Sequence, residues 1–332
     1  MTKEKTNKKM PLWARILCIF ASVLLSIVLI VYTGEKLIFA KFFKDAEREM
    51  KIPGLWSGFV PQGFDKLDDD TYLMSGYHKD GKSPSILYIV DDEQEKCELY
   101  NADGTAYTSH AGGVTHFSKW VYVAHNTGEE STYCDMFLLS DIMDGDGKAV
   151  KVDSVSVPLP VSYCSIYDGV LYAGAFYRDG TDYSTPESHR ITTPCGDENT
   201  ALMAVMTLDE NTGKPVHATP ELLFSTTSNV QGMCFTDSGK IVLSTSWGLT
   251  KSHLLVYDLD KANTGDITFN GVQTPIVYLD GDCLTQDIVC PPMAEELVYE
   301  NGRVLILTES ASMKYLFGKL TSGNFVRSFP VE

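Results

Sequence analysis

Basic residues are scarce in this chain of 332 residues, which contains 27 Lys and Arg against 44 Asp and Glu and has a formal net charge of −17. Most of the imbalance lies after residue 50, because residues 51–332 contain eighteen basic and thirty-nine acidic residues. An acidic body repels phosphate backbones. We therefore expect no nucleic acid among the partners of this protein.

Familiar catalytic signatures are also missing. The sequence contains no G-x-S-x-G, HExxH, P-loop or GxGxxG motif, which argues against the commonest hydrolases and nucleotide-binding enzymes. None of the eight cysteines forms a CxxC pair or a Cys/His spacing typical of a zinc site. Cys283 and Cys290 are close enough in sequence to bridge one loop. We expect that loop disulfide and otherwise buried thiols.

Only one long hydrophobic run is present. Residues 16–32 are uncharged, and with the apolar residues on either side they are long enough to cross a bilayer. The run is preceded by the basic residues Lys3, Lys5, Lys8, Lys9 and Arg15. The positive-inside rule then predicts a signal anchor with a cytoplasmic N-terminus and an extracellular body. A cleaved signal peptide is the alternative, although no A-x-A site follows the run.

These features divide the chain into four parts. They are a cytoplasmic basic tail (1–10), a transmembrane signal anchor (11–32), a juxtamembrane amphipathic segment (33–57) and an extracellular domain (58–332). We expect residues 35–50 to continue as a helix at the lipid surface. The protein is then a single-pass protein of the cell membrane, and the membrane is one of its partners.

One short sequence pattern recurs five times in the extracellular domain: an apolar strand behind a turn that ends in small residues. The second residues of the five copies are Tyr72, Val121, Leu171, Val242 and Leu305, which gives spacings of 49, 50, 71 and 63 residues. This is the spacing of propeller blades with two insertions. Hairpin turns such as Asp168-Gly169 and Asn301-Gly302 precede the later copies. The predicted fold is all-β, a single propeller of five blades, with six blades as the alternative.

Each repeat can be divided into four strands, and three of these assignments need stating. We predict 275–279 as the fourth strand of the fourth blade, and 315–320 as the third strand of the fifth. A strand near 58–60 is expected to close the ring against the last blade. Residues 178–200 interrupt the third blade, and their content of Pro, Gly, Ser and Thr predicts a long surface loop.

Polar and aromatic residues recur where the first strand of each predicted blade begins and where the second strand ends. In a propeller these positions converge on one face near the axis, which we call the mouth and which is where ligands usually bind. The candidate ligand-binding residues are Gln62, His78, His110, His125, Tyr163, Tyr177, Gln231, Trp247, Glu295, Glu296 and Glu309.

The pair Gln-Gly occurs twice at equivalent places, at residues 62–63 and 231–232. Glycine allows close backbone approach at a crowded axis, and the glutamine amide can both donate and accept hydrogen bonds. These glutamines either contact a ligand or bond neighbouring blades and seal the channel.

The catalytic candidates are Glu296, Glu309 and His125, because a carboxylate or imidazole that faces a pocket can act as a general base or bind a metal. Alternation along a strand sends Glu295 and Glu296 to opposite sides, so at most one of them is expected to face the axis. The alternative is that the carboxylates are paired with histidine or with backbone N–H groups.

The Gln-Gly strand entries and the segment 237–246 (DSGKIVLSTS) resemble the broad group of extracellular propellers that includes NHL, gluconolactonase-like and quinoprotein-like repeats. The resemblance covers about residues 58–329. The short basic N-terminus and the single anchor resemble those of membrane-tethered bacterial propellers of unassigned role. The resemblance implies the fold more than a function. Gluconolactonase-like members bind a central divalent metal through acidic and amide side chains, so calcium is a candidate cofactor and Glu295 or Glu296 its acidic ligand. No matching Asn/Asp set is evident.

Three functions remain open from the sequence. The first is a noncatalytic extracellular module that binds a small molecule, a glycan or an envelope protein at the mouth. The second is a metal-assisted extracellular hydrolase or lactonase. The third is a structural or assembly protein of the cell envelope. A set of carboxylate and amide oxygens converging on one axial point would favour the enzyme.

Overall fold

The computed structural model describes residues 10–125, 132–321 and 323–331. Residues 1–9, which make up most of the predicted basic tail, lie outside the described residues. Helix α1 (Leu12–Ile38) is followed by the short helix α2 (Ala40–Asp45), whose Phe42 is buried. Within the described residues α1 is the helix that is long and apolar enough to cross a bilayer. It is therefore consistent with a single-pass membrane anchor.

Twenty-five strands follow in the described part of the chain. The first twelve are β1 (Glu47–Lys51), β2 (Phe59–Lys66), β3 (Tyr72–His78), β4 (Ile86–Val90), β5 (Gln94–Tyr100), β6 (Val114–Phe117), β7 (Trp120–Ala124), β8 (Tyr133–Leu138), β9 (Lys148–Val150), β10 (Asp153–Ser156), β11 (Tyr163–Tyr167) and β12 (Val170–Gly174). The others are β13 (Ile191–Thr192), β14 (Glu198–Asn199), β15 (Ala201–Thr207), β16 (Leu222–Thr226), β17 (Val230–Phe235), β18 (Ile241–Thr245), β19 (Ser252–Tyr257), β20 (Asn263–Phe269), β21 (Val272–Tyr278), β22 (Leu284–Cys290), β23 (Ala294–Glu300), β24 (Arg303–Thr308) and β25 (Phe325–Pro330). The short helices between them are α3 (Leu139–Met143) and the 3-10 helices Glu187–His189, Leu259–Lys261 and Phe317–Leu320.

The strands form five antiparallel blades, which confirms the predicted propeller and its blade number. From the inside outwards the blades are β2-β3-β4-β5, β6-β7-β8-β10, β11-β12-β15-β16, β17-β18-β19-β22 and β23-β24-β25-β1. Strand β9 extends the first blade, and the hairpin β20-β21 extends the third through parallel pairing of β21 with β16. The innermost strands β2, β6, β11, β17 and β23 contact one another in a closed ring.

Neighbouring blades pack face to face through apolar side chains. Between the first and second blades, Leu73 and Leu87 pack in one buried cluster with Val121 and Phe137. The last and first blades share another cluster, which contains Met74, Leu305 and Val326 among others. Each blade buries its apolar faces on its neighbours, which is why the ring has to close.

Closure of the ring differs from the prediction. Strand β1 pairs with β25, with Glu47 opposite Ser328, so the chain before the first blade supplies the outer strand of the last one. Residues 59–60 belong instead to β2, and the expected helix over residues 35–50 ends at Asp45. The physical reason is that the outer edge of β25 presents unpaired backbone groups, which β1 satisfies.

Two other strand predictions are wrong. The fourth strand of the fourth blade is β22, because the segment at 275–279 folds back on β20 at the turn Asn270-Gly271, where both residues have positive φ, and joins the third blade. Residues 317–320 form a 3-10 helix in the connection between β24 and β25, which follows Leu316 at a φ of 62°. Apolar content alone did not distinguish these segments from core strands.

The expected loop disulfide is also wrong. All eight cysteines lie in the described residues and are free thiols, six of them buried. Cys283 immediately precedes β22 and Cys290 ends it. An extended strand of that length separates its ends by roughly 20 Å, whereas a disulfide requires Cα atoms less than about 7 Å apart.

Candidate functional site at the mouth of the propeller

A cavity of about 350 Å³ opens where the inner strands begin and the second strands end. All five blades contribute to its lining, which consists of Gln62, Tyr77, His110, Gly112, Ser162, Phe176, Tyr183, Gln231, Ser246, Trp247, Gly248, Glu309, Lys314 and Tyr315. Residues that are far apart in the sequence meet here because every blade starts its inner strand at the same end of the axis. Five of the predicted candidates line the cavity: Gln62, His110, Gln231, Trp247 and Glu309.

Glycines allow the inner strands to approach closely below this cavity. A Cβ atom on Gly232 would lie 2.4 Å from Oε1 of Glu296, and one on Gly112 would lie 2.1 Å from the carbonyl oxygen of Ser162. Neither distance leaves room for a methyl group. The glycine of the Gln-Gly pair in the fourth blade is therefore required by axial packing.

Glu309 is the buried carboxyl group of the mouth, with 9% of its surface exposed. Its Oε2 accepts a hydrogen bond of 3.0 Å from Nε2 of Gln62. Burial raises the pKa of Glu309 to about 7, although Lys314 and the hydrogen bonds from Tyr315 and Gln62 act in the opposite direction. This carboxyl group therefore changes charge near neutral pH.

A lysine and two tyrosines adjoin Glu309. Nζ of Lys314 donates a hydrogen bond of 2.5 Å to the hydroxyl of Tyr77 and lies 5.1 Å from the ring centroid of Tyr315. The ring of Tyr77 packs at 4.6 Å from that of His110. Burial and the neighbouring Glu309 raise the pKa of Tyr77, so its hydroxyl remains protonated at neutral pH.

The opposite wall of the cavity is aromatic. The ring centroid of Trp247 lies 6.1 Å from those of Phe176 and Tyr183, and the latter two are 5.4 Å apart. The guanidinium of Arg178 is 5.2 Å from the indole ring. Tyr183 and Arg178 belong to the insertion 178–200, which the sequence predicted as a surface loop. The insertion thus forms part of the mouth.

The two conspicuous glutamines differ in their partners. The side-chain amide of Gln62 donates hydrogen bonds to the carbonyl oxygen of the preceding Pro61 and to the carboxylate of Glu309. Gln62 therefore links the first and last blades. Among the described residues, Nε2 of Gln231 bonds Oγ of Ser246 in its own blade, at 3.5 Å. Gln62 fits the interpretation as a link between blades, and Gln231 lines the cavity.

Glu295 and Glu296 are almost fully buried, each with 1% exposure. Oε1 of Glu296 accepts the backbone N–H of Met233 at 2.8 Å, and its Oε2 has no hydrogen-bond partner among the described residues. Burial raises the pKa of both carboxyl groups well above the usual value, and Glu309 raises that of Glu295 further. The register of β23 shifts between Ala294 and Leu297, so the alternation assumed for residues 295 and 296 does not apply.

Four other predicted candidates do not line the cavity. Nδ1 of His78 pairs with Asp80 at 2.9 Å, and Nδ1 of His125 lies 2.6 Å from Oδ2 of the buried Asp135. Tyr163 is fully buried, with a hydroxyl that has no partner among the described residues. The ring of Tyr177 packs against Arg190 at 4.8 Å. His125 thus matches the alternative in which a carboxylate is paired with histidine.

Several lining residues were missed by the sequence reasoning. Tyr77 is the last residue but one of β3 and Phe176 lies just after β12, so the positional rule that selected Trp247 could have found them as well. Lys314 and Tyr315 belong to the segment between β24 and β25 that was interpreted in part as a strand. Nothing in the local sequence indicated that this segment folds over the mouth.

One group of candidate metal ligands lies outside the cavity. Sγ of Cys195 and carboxylate oxygens of Asp280 and Asp282 lie within 4.8 Å of one another, and within the described residues they form the one such group of three. Glu295, Glu296 and Glu309 do not form one. The central calcium that the resemblance to gluconolactonase-like propellers implied would need amide or backbone oxygens beside these carboxylates, and it stays a prediction.

The sequence matches no known protein family and no curated protein. Several solved structures are similar in fold. The PQQ-bound aldose sugar dehydrogenase from Streptomyces coelicolor shares 14% identity over 86% of this chain and 98% of its own, with a TM-score of 0.48. A putative glucose dehydrogenase from Thermus thermophilus shares 11% identity over 86% of this chain and 99% of its own, with a TM-score of 0.45. BamB from Moraxella catarrhalis shares 9% identity over 86% of this chain and 98% of its own, with a TM-score of 0.32.

These likenesses concern the fold alone, because the identities are far too low to carry a function. The chain belongs to the broad group of β-propellers, and that assignment depends on its own five sheets and closed inner ring.

Proposed function

We propose that this protein is anchored in the cell membrane by α1, has its propeller outside the cell and binds a small hydroxyl-rich ligand of the glycan type at the mouth. The observation that carries the proposal is the division of the cavity into an aromatic wall, with Trp247 at its centre, and a polar wall around Gln62, Glu309 and Lys314.

Each wall suits one part of such a ligand. The rings of Trp247, Phe176 and Tyr183 offer apolar faces for the C–H groups of a sugar ring. Amide, ammonium and hydroxyl groups opposite them donate and accept the hydrogen bonds that sugar hydroxyls need. The volume falls in the range of small-molecule sites, which are mostly apolar with a few placed polar groups. A folded protein would not enter it.

Binding can be followed by the fluorescence of Trp247. The full chain in detergent is titrated with glucose, N-acetylglucosamine and their β-linked disaccharides, and at least one of these probes should change the emission. The signal should vanish in Trp247→Phe and persist in Trp120→Phe, because Trp120 begins β7 at the end of the second blade away from the mouth. A flat titration with every probe would count against a glycan ligand.

The contribution of the polar residues of the cavity has its own test. Gln231→Ala should weaken binding of the responding probe by roughly fivefold, since a hydrogen bond to a ligand is worth about 1 kcal/mol. The matched control is Gln273→Ala, which changes an exposed glutamine on β21. Equal affinities of the two variants would remove Gln231 from the site.

The topology can be tested with a single thiol. Cys195 is exposed, Cys18 lies in α1 and the other six cysteines are buried. A membrane-impermeant maleimide applied to intact cells should therefore label the wild-type protein but not Cys195→Ser. Labelling that appears only after lysis would place the propeller in the cytoplasm.

A second function is favoured by one observation. The pKa of Glu309, about 7, suits a general acid or base at neutral pH, and Lys314 and Tyr77 lie beside it. A hydrolase or lactonase of this kind would use Glu309 as its general acid or base. Incubation with an aldonolactone should then release acid at a rate above the uncatalysed one, and Glu309→Gln should abolish the difference. If a ligand binds and no acid is released, the enzymatic function is contradicted and only the binding function remains.

A further inference from the structure

The end of the anchor helix lies against the mouth side of the propeller. The apolar run of α1 ends near Tyr32, and three residues later Glu35 lines a crevice together with Phe317 and Gly323. Helix α1 also contacts the 3-10 helix Phe317–Leu320. With a rise of 1.5 Å per residue, the step from Tyr32 to Glu35 is only about 5 Å along the axis. The body therefore begins within about one helical turn of the end of the apolar run.

The part of the body at this point belongs to the mouth. Residues 309–324 connect the end of β24 with the start of β25, and Glu309, Lys314 and Tyr315 of this connection line the cavity. The loop 52–58 between β1 and β2 lies at the same end, because it leads into the first inner strand. We call residues 51–57 and 316–320 the rim.

The rim carries large apolar side chains that are exposed to solvent. Trp56 is 78% exposed, and Leu316 and Leu320 of the neighbouring connection are exposed as well. Nζ of Lys319 lies 3.9 Å from the ring centroid of Trp56 and donates a hydrogen bond of 3.0 Å to the carbonyl oxygen of Leu55. A tryptophan with an adjacent lysine is the combination enriched at the interface between membrane and water.

The charge of the rim also differs from that of the body. Lys51 and Lys319 line one groove with Trp56, and this groove contains no acidic side chain among its described lining residues. Residues 51–332 as a whole contain thirty-nine acidic against eighteen basic residues. A basic rim on an acidic body is complementary to anionic lipid headgroups and would direct this edge to the bilayer.

We propose that the rim rests on the surface of the bilayer that α1 enters, with Trp56 placed among the lipid headgroups, so that the mouth opens beside the membrane. The proposal rests on the membrane anchor of the proposed function and adds the orientation of the propeller to it. The ligand is then one that is presented at the membrane surface.

The test uses the full chain in nanodiscs of phosphatidylcholine with a minor fraction of phosphatidylglycerol, made with ordinary or with brominated acyl chains. Bromine quenches only tryptophans that reach the lipid. The emission of each tryptophan is obtained as the difference between the wild type and a single Trp→Phe variant at position 13, 56 or 120. Because Trp56 is exposed in the protein, Trp56→Phe is not expected to disturb folding.

We expect the emission of Trp56 to fall by roughly half or more in brominated nanodiscs, together with that of Trp13 at the start of α1, while that of Trp120 stays unchanged. If Trp13 is quenched and Trp56 behaves like Trp120, the helix is inserted but the rim does not touch lipid, and the proposal is overturned while the anchor stands. If Trp13 is not quenched, the anchor fails and the proposal fails with it. Ligand binding through Trp247 is measured in detergent and is independent of both outcomes.

Discussion

Gln62 and Glu309 are 247 positions apart in the chain and are joined by a hydrogen bond of 3.0 Å. Gln62 lies in the inner strand of the first blade, and Glu309 follows the second strand of the last blade, so the bond crosses the seam at which the ring closes. Glu309 also lines the mouth. One buried carboxyl group therefore connects ring closure with the chemistry of the candidate site.

Removal of the charge at Glu309 should change how stability depends on pH. The pKa of this group is raised from 4.5 to about 7 by burial, so the folded state retains a proton that the unfolded state loses. The free energy of unfolding then falls as pH rises from about 4.5 to about 7, by up to roughly 3 kcal/mol. Glu309→Gln should lack this fall, so its stability relative to the wild type should grow over that interval.

Urea unfolding in detergent at about pH 5 and about pH 8 measures the effect. The matched control is Glu93→Gln, which changes an exposed carboxyl group and should leave the pH profile of the wild type in place. A constant difference between Glu309→Gln and wild type at both pH values would mean that Glu309 is already ionised at about pH 5.

The blade number was predictable because the repeated hairpins are local. Turns such as Asp168-Gly169 adopt the positive φ that a tight hairpin requires, and each places two apolar strands side by side. The pairing of β1 with β25 was not predictable in the same way, because β1 (EREMK) is charged and carries no apolar alternation. It is a strand because it satisfies the backbone of β25, which is a tertiary effect.

The residues of the candidate site were likewise predictable only in part. Trp247 and Gln231 could be assigned to the mouth because they occupy fixed positions relative to their strands. His125 occupies an equivalent position, but its imidazole turns to Asp135 in the next strand of its own blade. Such a choice between the axis and a neighbouring strand depends on which buried charge needs a partner, and a single sequence does not reveal it.

His125 should therefore contribute to stability and leave binding unchanged. Burial disfavours the charge of Asp135, yet hydrogen bonds from His125, Ser154 and Tyr107 hold its pKa below the usual value. His125→Ala would leave that buried carboxylate with fewer partners and should cost about 1–3 kcal/mol of unfolding free energy. Affinity for the saccharide probe that responds through Trp247 should stay within about twofold of wild type. If His125→Ala loses binding but keeps wild-type stability, His125 belongs to the binding site after all.

Gly232 should tolerate no side chain. A Cβ atom there would lie 2.5 Å from Cα of Glu296 as well as 2.4 Å from its carboxylate, so backbone would have to move. We expect Gly232→Ala to lower the free energy of unfolding by at least about 2 kcal/mol.

The control is Gly265→Ala in β20, where the nearest atom to the added methyl group is the hydroxyl of Tyr278 at 3.2 Å, the movable end of a side chain. Its cost should stay below about 1 kcal/mol. Similar thermal unfolding of the two variants would show that the inner strands do not approach as closely as described.

The segment that joins α1 to the first blade should prove to be part of the propeller. Phe42 in α2 is buried and stacks on Phe329 of the last blade, with ring centroids 5.3 Å apart and planes within 8° of parallel. Phe42→Ala removes this contact and leaves a cavity, which should cost about 3 kcal/mol. The neighbouring Lys41→Ala changes an exposed side chain and should cost less than about 0.5 kcal/mol. Chemical unfolding of the two variants in the same detergent measures the difference. If both variants unfold like wild type, α2 does not pack on the propeller, and the last blade does not depend on the chain that leads into it.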